Sequence, residues 1–309
     1  MMNFRTDLAD ERSDIYRRAN ALETIPGVRT EESEKDGVKV TKVCVLDEQG
    51  EKALGKPQGN YITLDIKNLR IAQQEEIEQA AQILNQELQG LYRNLIQEND
   101  AILVVGLGNL EVTPDALGPR VIQSIDVTRH ILHYAPQYLE PDTRPVCAIS
   151  PGVLGTTGME TQEILQGIVE KVHPKLLIVI DSLASKSMYR ISSTIQIADT
   201  GIVPGAGVGN KRRELSHTTL GVPVIAIGVP TVVEAATLTA DCLDIFIEKL
   251  QESAESNAYL NQLKTEDKYT MIKEKLLPDQ FNFIVTPKEI DDLIDNMSSV
   301  IARGINLSL

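Results

Sequence analysis

The chain has 309 residues, 42% of them apolar, enough to bury one large core or two modest ones without a disulfide or a metal as staple. A formal net charge of -14 repels polyanions, which disfavours direct nucleic-acid binding and attraction to an anionic membrane, and leaves basic proteins as the favoured electrostatic partners. Cys44, Cys147 and Cys242 are odd in number, widely spaced and outside any metal-ligand pattern, so no disulfide is assigned and a reducing compartment is expected.

The start of the chain is charged from Arg5 onward and lacks the apolar run of a secretory signal. No later stretch approaches a membrane span, so an intracellular protein is expected. Residues 1–36 alternate acidic and basic groups with few apolar anchors, which predicts a weakly ordered arm carrying one helix near Asp10 to Ala21. Val38 to Leu46 and Asn60 to Ile66 are rich in β-branched residues and flank a polar Gly/Pro-containing loop, the pattern of a strand pair. From Ile71 to Leu95 apolar residues recur at helical spacing among Glu and Gln, predicting one long amphipathic helix.

After residue 100 the texture changes to short apolar runs, each followed by a Gly/Pro/Ser-rich loop and then a helical pattern, as in parallel βα units. The runs are Ala101 to Val105, Val146 to Ile149, Leu176 to Ile180 and Val222 to Ile227, with Ile195 to Ala198 as a further strand at an edge. Helices are predicted over 113–132, 159–172 and 232–250, with terminal helices near 258–275 and 287–303. The fold class expected is α/β: a mostly parallel twisted sheet with helices on both faces, plus an N-terminal β-rich accessory region over 8–99 that packs with a core over 100–309.

In such sheets the reactive segments follow the carboxyl ends of the strands. Here they are Gly106 to Asp115, Ser150 to Gly158, Asp181 to Ser185 and Gly228 to Thr231. A dinucleotide fingerprint fails in the first, because Glu111 stands where its third glycine is needed. Pro204 to Lys211 does not keep the Walker spacing, and no Ser or Thr follows its lysine. Asp115, after Thr113 as N-cap and Pro114 at the first helical position, can be a dipole-compensating carboxylate, and Asp181 can be a turn cap. Taken together, both acids leave the same edge of one sheet, where two close carboxylates cannot both ionise cheaply. Such a pair shares a proton and serves as base toward water and acid toward a leaving amine.

Other chemistries are weaker. Ser182 and Lys186 are four apart, so a helical turn would align them, but the spacing is not Ser-x-x-Lys. His130, His133, His173 and His217 are scattered, with no His-Glu-x-x-His or Cys-x-x-Cys site. Cys147 lies within an apolar strand, where a thiol is core rather than nucleophile.

Five segments resemble the germination proteases of spore-forming bacteria: Arg5-Thr6-Asp7-Leu8-Ala9, Gly106 through Gly118, Pro151 through Thr161, Val179-Ile180-Asp181 and Gly221 through Thr231. The resemblance runs from the N-terminal arm to the terminal helices. It implies an atypical aspartic endopeptidase that cleaves the small acid-soluble proteins of dormant spores, in the cytoplasm of the forespore or spore core. Asp115 and Asp181 match the family's two catalytic aspartates. It further implies an inactive precursor that cuts itself between Asp7 and Leu8, releasing residues 1–7 as a propeptide, and a homotetramer that needs no known cofactor. The family's fold is similar to that of the metal-dependent hydrogenase maturation peptidases, whose acids match Asp115 and Asp181 but whose histidine ligand has no assigned counterpart here. A metal-bridged pair is therefore one alternative, and a peptide-binding scaffold without turnover is another. Ser182 and Lys186 stand where alanine and arginine are expected from better-known members, a change beside Asp181 that removes no catalytic group.

Overall fold

The computed structural model describes residues 6–66, 69, 72–140, 142–191, 193–206, 212–253, 272 and 283–309. The strands are β1 (Val28–Lys35), β2 (Val38–Val45), β3 (Gly59–Ile66), β4 (Ile102–Gly106), β5 (Val146–Ile149), β6 (Leu176–Ser185), β7 (Thr194–Ala198), β8 (Val224–Glu234) and β9 (Ile284–Val285). They form one sheet in the order β1-β2-β3-β7-β8-β6-β4-β5, with β9 paired to β8. Pairing is parallel across β8, β6, β4 and β5, and antiparallel from β1 through β7 to β8. The fold is α/β, and the N-terminal strands extend the same sheet because β3 pairs with β7.

Helices are α1 (Ala9–Asn20), α2 (Glu48–Leu54), α3 (Gln74–Tyr92), α4 (Leu117–Ile122), α5 (Arg129–Tyr134), α6 (Leu154–Thr157), α7 (Thr161–Val172), α8 (His217–Leu220), α9 (Ala235–Ser253) and α10 (Ile290–Ser308). The two-residue period of the strands divides their side chains between two cores. Ile102 and Val104 of β4, with Ile178 and Ile180 of β6, pack in one cluster with Leu84 of α3, Leu117 of α4 and Ile301 of α10. Leu103 and Val105, with Leu177 and Val179, face the other way and pack with Leu165 of α7 and Leu220 of α8. Helices therefore cover both faces, and a third cluster joins Ala9 of α1 to Val43, Val45, Leu54 and Tyr61.

Several expectations need correction. The N-terminal arm is not loose from residue 6 onward: Leu8 and Ala9 are fully buried, α1 follows them, and Val28–Lys35 is a strand. That strand escapes a hydrophobic-pattern reading because it is an edge whose polar side chains are nearly all exposed. The loop after β2 carries α2, started by Asp47, whose side chain accepts the Gln49 and Gly50 N–H groups. The helix expected over 113–132 is instead a short 3₁₀ turn, α4 and α5. The strand at Thr194–Ala198 is interior, between β3 and β8, not an edge. β6 and β8 run on through the predicted loops at 181–185 and 228–231, because they pair with each other over that whole length. The helix expected near 258–275 lies outside the described residues apart from Ile272.

Leu84 is fully buried between α3 and the sheet. Leu84→Ala should destabilise the fold by roughly 2–4 kcal/mol through lost burial and the cavity left behind, measured by urea unfolding.

Candidate active site

Asp181 continues the side-chain parity of Leu177 and Val179 along β6, so its carboxyl faces the side of the sheet that α7 and α8 cover lower down. It is 6% exposed, and its Oδ1 accepts the Ser182 N–H at 2.9 Å. Asp181 is thus a mid-strand residue and not a turn cap.

Asp115 ends the 3₁₀ turn Thr113–Asp115, whose N-cap is Val112 and not Thr113. The loop holds it by a backbone bond from the Asn109 N–H to the Asp115 carbonyl, at 3.0 Å. Gly108 permits this approach: its φ is +114° and a Cβ there would fall 2.0 Å from the Asp115 carbonyl oxygen. Asp115 and Asp181 line one cavity of about 410 Å³, together with Leu107, Pro114, Val153 and Thr231. Segments following β4 and β5 thus meet there with residues of β6 and β8, so one acid comes from a loop and the other from within a strand.

Burial raises both acids. The Asp115 carboxyl is pushed up to about 6, mainly by desolvation, against a lowering by the Asn109 N–H. Asp181 is raised well above the usual carboxylate range, first by burial, then by the charge of Asp115 and, less, by that of Asp7. The pair therefore retains a proton toward neutral pH.

A second cavity, of about 370 Å³, shares Asp181 with the first and is lined also by Asp7, Arg12, Lys56, Gln196 and Gly228. The segment around Asp7 borders this cavity, with a bend at Asp7 and extended backbone at Leu8. The Asp7 N–H donates to the Ala184 carbonyl at 3.1 Å, and the Ala184 N–H donates to Asp7 Oδ2 at 3.1 Å. Gln196 Nε2 donates to the Asp7 carbonyl at 3.2 Å, and its Oε1 accepts the Ala9 N–H at 2.7 Å. Arg12 Nε donates to the Thr6 carbonyl at 2.9 Å. Burial pushes the Lys56 ammonium down to about 8, helped by Arg12 and opposed by Asp7.

The structure therefore brings Asp7, Leu8, Asp115 and Asp181 into one region, with Leu8 fully buried. Ser182 and Lys186 do not form a dyad: no helical turn joins them, and Lys186 Nζ lies 3.7 Å from Asp241. Cys147 has its thiol pushed up by burial, which suits an inert core thiol. Among the described residues no three His, Cys, Asp or Glu side chains converge as metal ligands, and two carboxylates alone fall short of the three protein ligands usual at a catalytic zinc. Gln196, Arg12 and Lys56 were not singled out by sequence. Gln196 alone carried a signal, a carboxamide inside the buried run Thr194–Ala198.

The raised Asp115 carries a stability cost with a definite sign. Between about pH 4 and 6 the folded chain holds a proton there that the unfolded chain has released, so stability falls as pH rises through that window. Asp115→Asn should thus be more stable than the parent at pH 7.5, by about 1–2 kcal/mol after allowance for its partial exposure, and gain nothing at pH 4. Urea unfolding at the two pH values measures this.

The model of the germination protease family matches residues 5–264 and 248–309. A germination protease of Caldanaerobacter subterraneus subsp. tengcongensis is 49% identical over 313 residues, covering 100% of this chain and 95% of that protein. One from Clostridium tetani is 48% identical over 312 residues, covering 100% and 96%, and one from Priestia megaterium 40% identical over 345 residues, covering 99% and 93%. Among solved structures, a NiFe hydrogenase maturation protease from Thermococcus kodakarensis aligns with 19% identity over 45% of this chain and 78% of its own, at a TM-score of 0.28, too low a likeness to build on. With the whole chain matched at such identity, it belongs to the germination protease family.

Proposed function

We propose that this chain is an aspartic-type endopeptidase that begins the breakdown of small acid-soluble spore proteins, made as a precursor that cuts its own Asp7–Leu8 bond. Its family membership makes it a peptidase of spore germination. The observation that carries the mechanism is the pairing of two desolvated carboxyls, Asp115 and Asp181, on one cavity.

With one proton between them, the ionised carboxylate takes a proton from water as the water oxygen bonds to the peptide carbonyl carbon. The carbonyl π pair moves onto its oxygen. When that pair returns, the C–N bond breaks and the amine leaves with the proton held by the other carboxyl. The pair again holds one proton, and the products are a carboxyl and an amine.

The segment around Asp7 supports the precursor reading, since it lies along the cavity that includes Asp181. Residues 1–7 are the propeptide, and while residues 6 and 7 stay in place they exclude a substrate from that cavity. Residues 8–99 and 100–309 form the accessory and catalytic parts of one unit. The family resemblance supports a homotetramer and a spore-core location. The acidic chain is suited to protein substrates and not to nucleic acid. Exposed Tyr134, Tyr138 and Tyr189 are apolar surface available to contacts between subunits.

The test is to follow the purified full chain by intact mass as it yields a fragment beginning at Leu8. Lowering the pH from 8 to 6.5 should speed the cut, because the shared proton is then retained. Asp115→Asn and Asp181→Asn should each slow it at least about 100-fold. Protein lacking residues 1–7 should cleave a small acid-soluble spore protein, with EDTA making no difference. Loss of cleavage on chelation would move the mechanism to a metal-bridged pair, and unchanged cleavage in either variant would remove that aspartate from the chemistry.

A further inference from the structure

We propose that Gln196 is a catalytic residue for the Asp7–Leu8 cut, its carboxamide N–H holding the carbonyl oxygen on which negative charge develops; this rests on the self-cleavage proposed above. Gln196 is 7% exposed on a strand that is buried throughout, where a polar side chain must be satisfied. Both of its hydrogen bonds go to the N-terminal segment and straddle the bond in question: Nε2 donates to the Asp7 carbonyl and Oε1 accepts from the Ala9 N–H. The orientation is determined by its partners, since a flipped amide would set oxygen against oxygen and N–H against N–H.

Sheet register sets this carboxamide and Asp181 on one face, beside one cavity. Asp181 of β6 is paired with Gly228 of β8, and Gly228 is paired with Gln196 of β7, so the three form one row across adjacent strands. Directly paired residues point to the same face, and strands about 4.8 Å apart set the outer two roughly 10 Å apart. At the middle position glycine makes room for the Leu183 side chain, which reaches over it from β6. A Cβ there would lie 2.4 Å from Leu183 Cδ1, so the row packs in this form only with glycine at its centre. Floored by Gly228, Ala226 and Ala198, the cavity has the carboxyl on one wall and the amide donor on the other.

A donor at 3.2 Å from the ground-state carbonyl is placed to tighten as the oxygen gains charge, which is how a fixed dipole lowers a barrier. After the cut Asp7 departs and the Nε2 group is released. The same donor then serves the carbonyl of any peptide that replaces residues 6 and 7.

Gln196→Glu and the volume-matched Gln196→Met separate this role from packing. Self-cleavage is followed by intact mass from pH 5.5 to 8, with thermal unfolding of each variant beside it. Gln196→Glu, ionised and without a donor, should be slower than wild type by about 100-fold at pH 7.5. That deficit should shrink about tenfold toward pH 5.5, as its carboxyl gains a proton it can donate. Gln196→Met should be slowed at every pH without that recovery. A Glu variant within about threefold of wild type at pH 7.5, or one whose deficit does not change with pH, overturns the proposal and leaves self-cleavage standing. If the Glu variant does not fold, a Met variant within threefold of wild type overturns it, and a slow one supports it. A wild-type chain that gives no Leu8 fragment at any of these pH values defeats both readings.

Discussion

A carboxyl buried in the middle of a strand is the constraint on which the site depends. Asp181 lies where β6 emerges from beneath α7 and α8, on the same face as Leu177 and Val179. Desolvation there raises the carboxyl well above the usual carboxylate range, and the nearby charge of Asp115 raises it further. Pairing of β6 with β8 out to Ser185 fixes the strand against movement. Asp115 is held less rigidly, by a short turn and one backbone bond from the Asn109 N–H. The pair thus joins one acid built into the sheet with one presented by a loop, and the loop acid is the more exposed of the two.

Around this pair the N-terminal segment is held by polar and apolar contacts. Thr6 bonds to Glu11, and the Glu11 carboxylate in turn accepts the Lys186 and Ser187 N–H groups just past β6. Arg190 bridges Asp10 and Asp65, tying the start of α1 to β3. Leu8 and Ala9 supply the apolar part of the docking. Covalent attachment gives such a segment a high effective concentration in the cavity, so modest contacts suffice to keep it in place.

The β-rich N-terminal region has more than a supporting part in this arrangement. By pairing with β7, β3 makes β7 an interior strand, and an interior β7 carries Gln196 into the row with Gly228 and Asp181. Arg12 and Lys56 reach the same cavity from α1 and from the loop before β3. One wall of the cleft is therefore built from the first part of the chain and the other from the parallel strands.

Much of this was legible in the residues alone. Apolar periodicity gave β2 through β8 as separate strands and α3, α7, α9 and α10 as helices, because each buries a face whose period survives in sequence. Asp115 and Asp181 stood out because they adjoin apolar strands at one edge of a parallel sheet. Local pattern could not reveal β1, whose polar side chains face solvent, nor the continuation of β6 and β8 past Ile180 and Ile227, where mutual pairing overrides the loop-like composition. The meeting of Asp7 with Gln196, 189 residues apart, was also beyond it, since the contact exists only through a register that runs across β6, β8 and β7. Sequence by itself determined the α/β class and the family and singled out the two acids, because these depend on local periodicity and short motifs. Tertiary structure alone decided their burial, the upward shift of their carboxyls and the bed in which the N-terminal segment lies, because desolvation and cross-strand pairing are properties of neighbours distant in the chain.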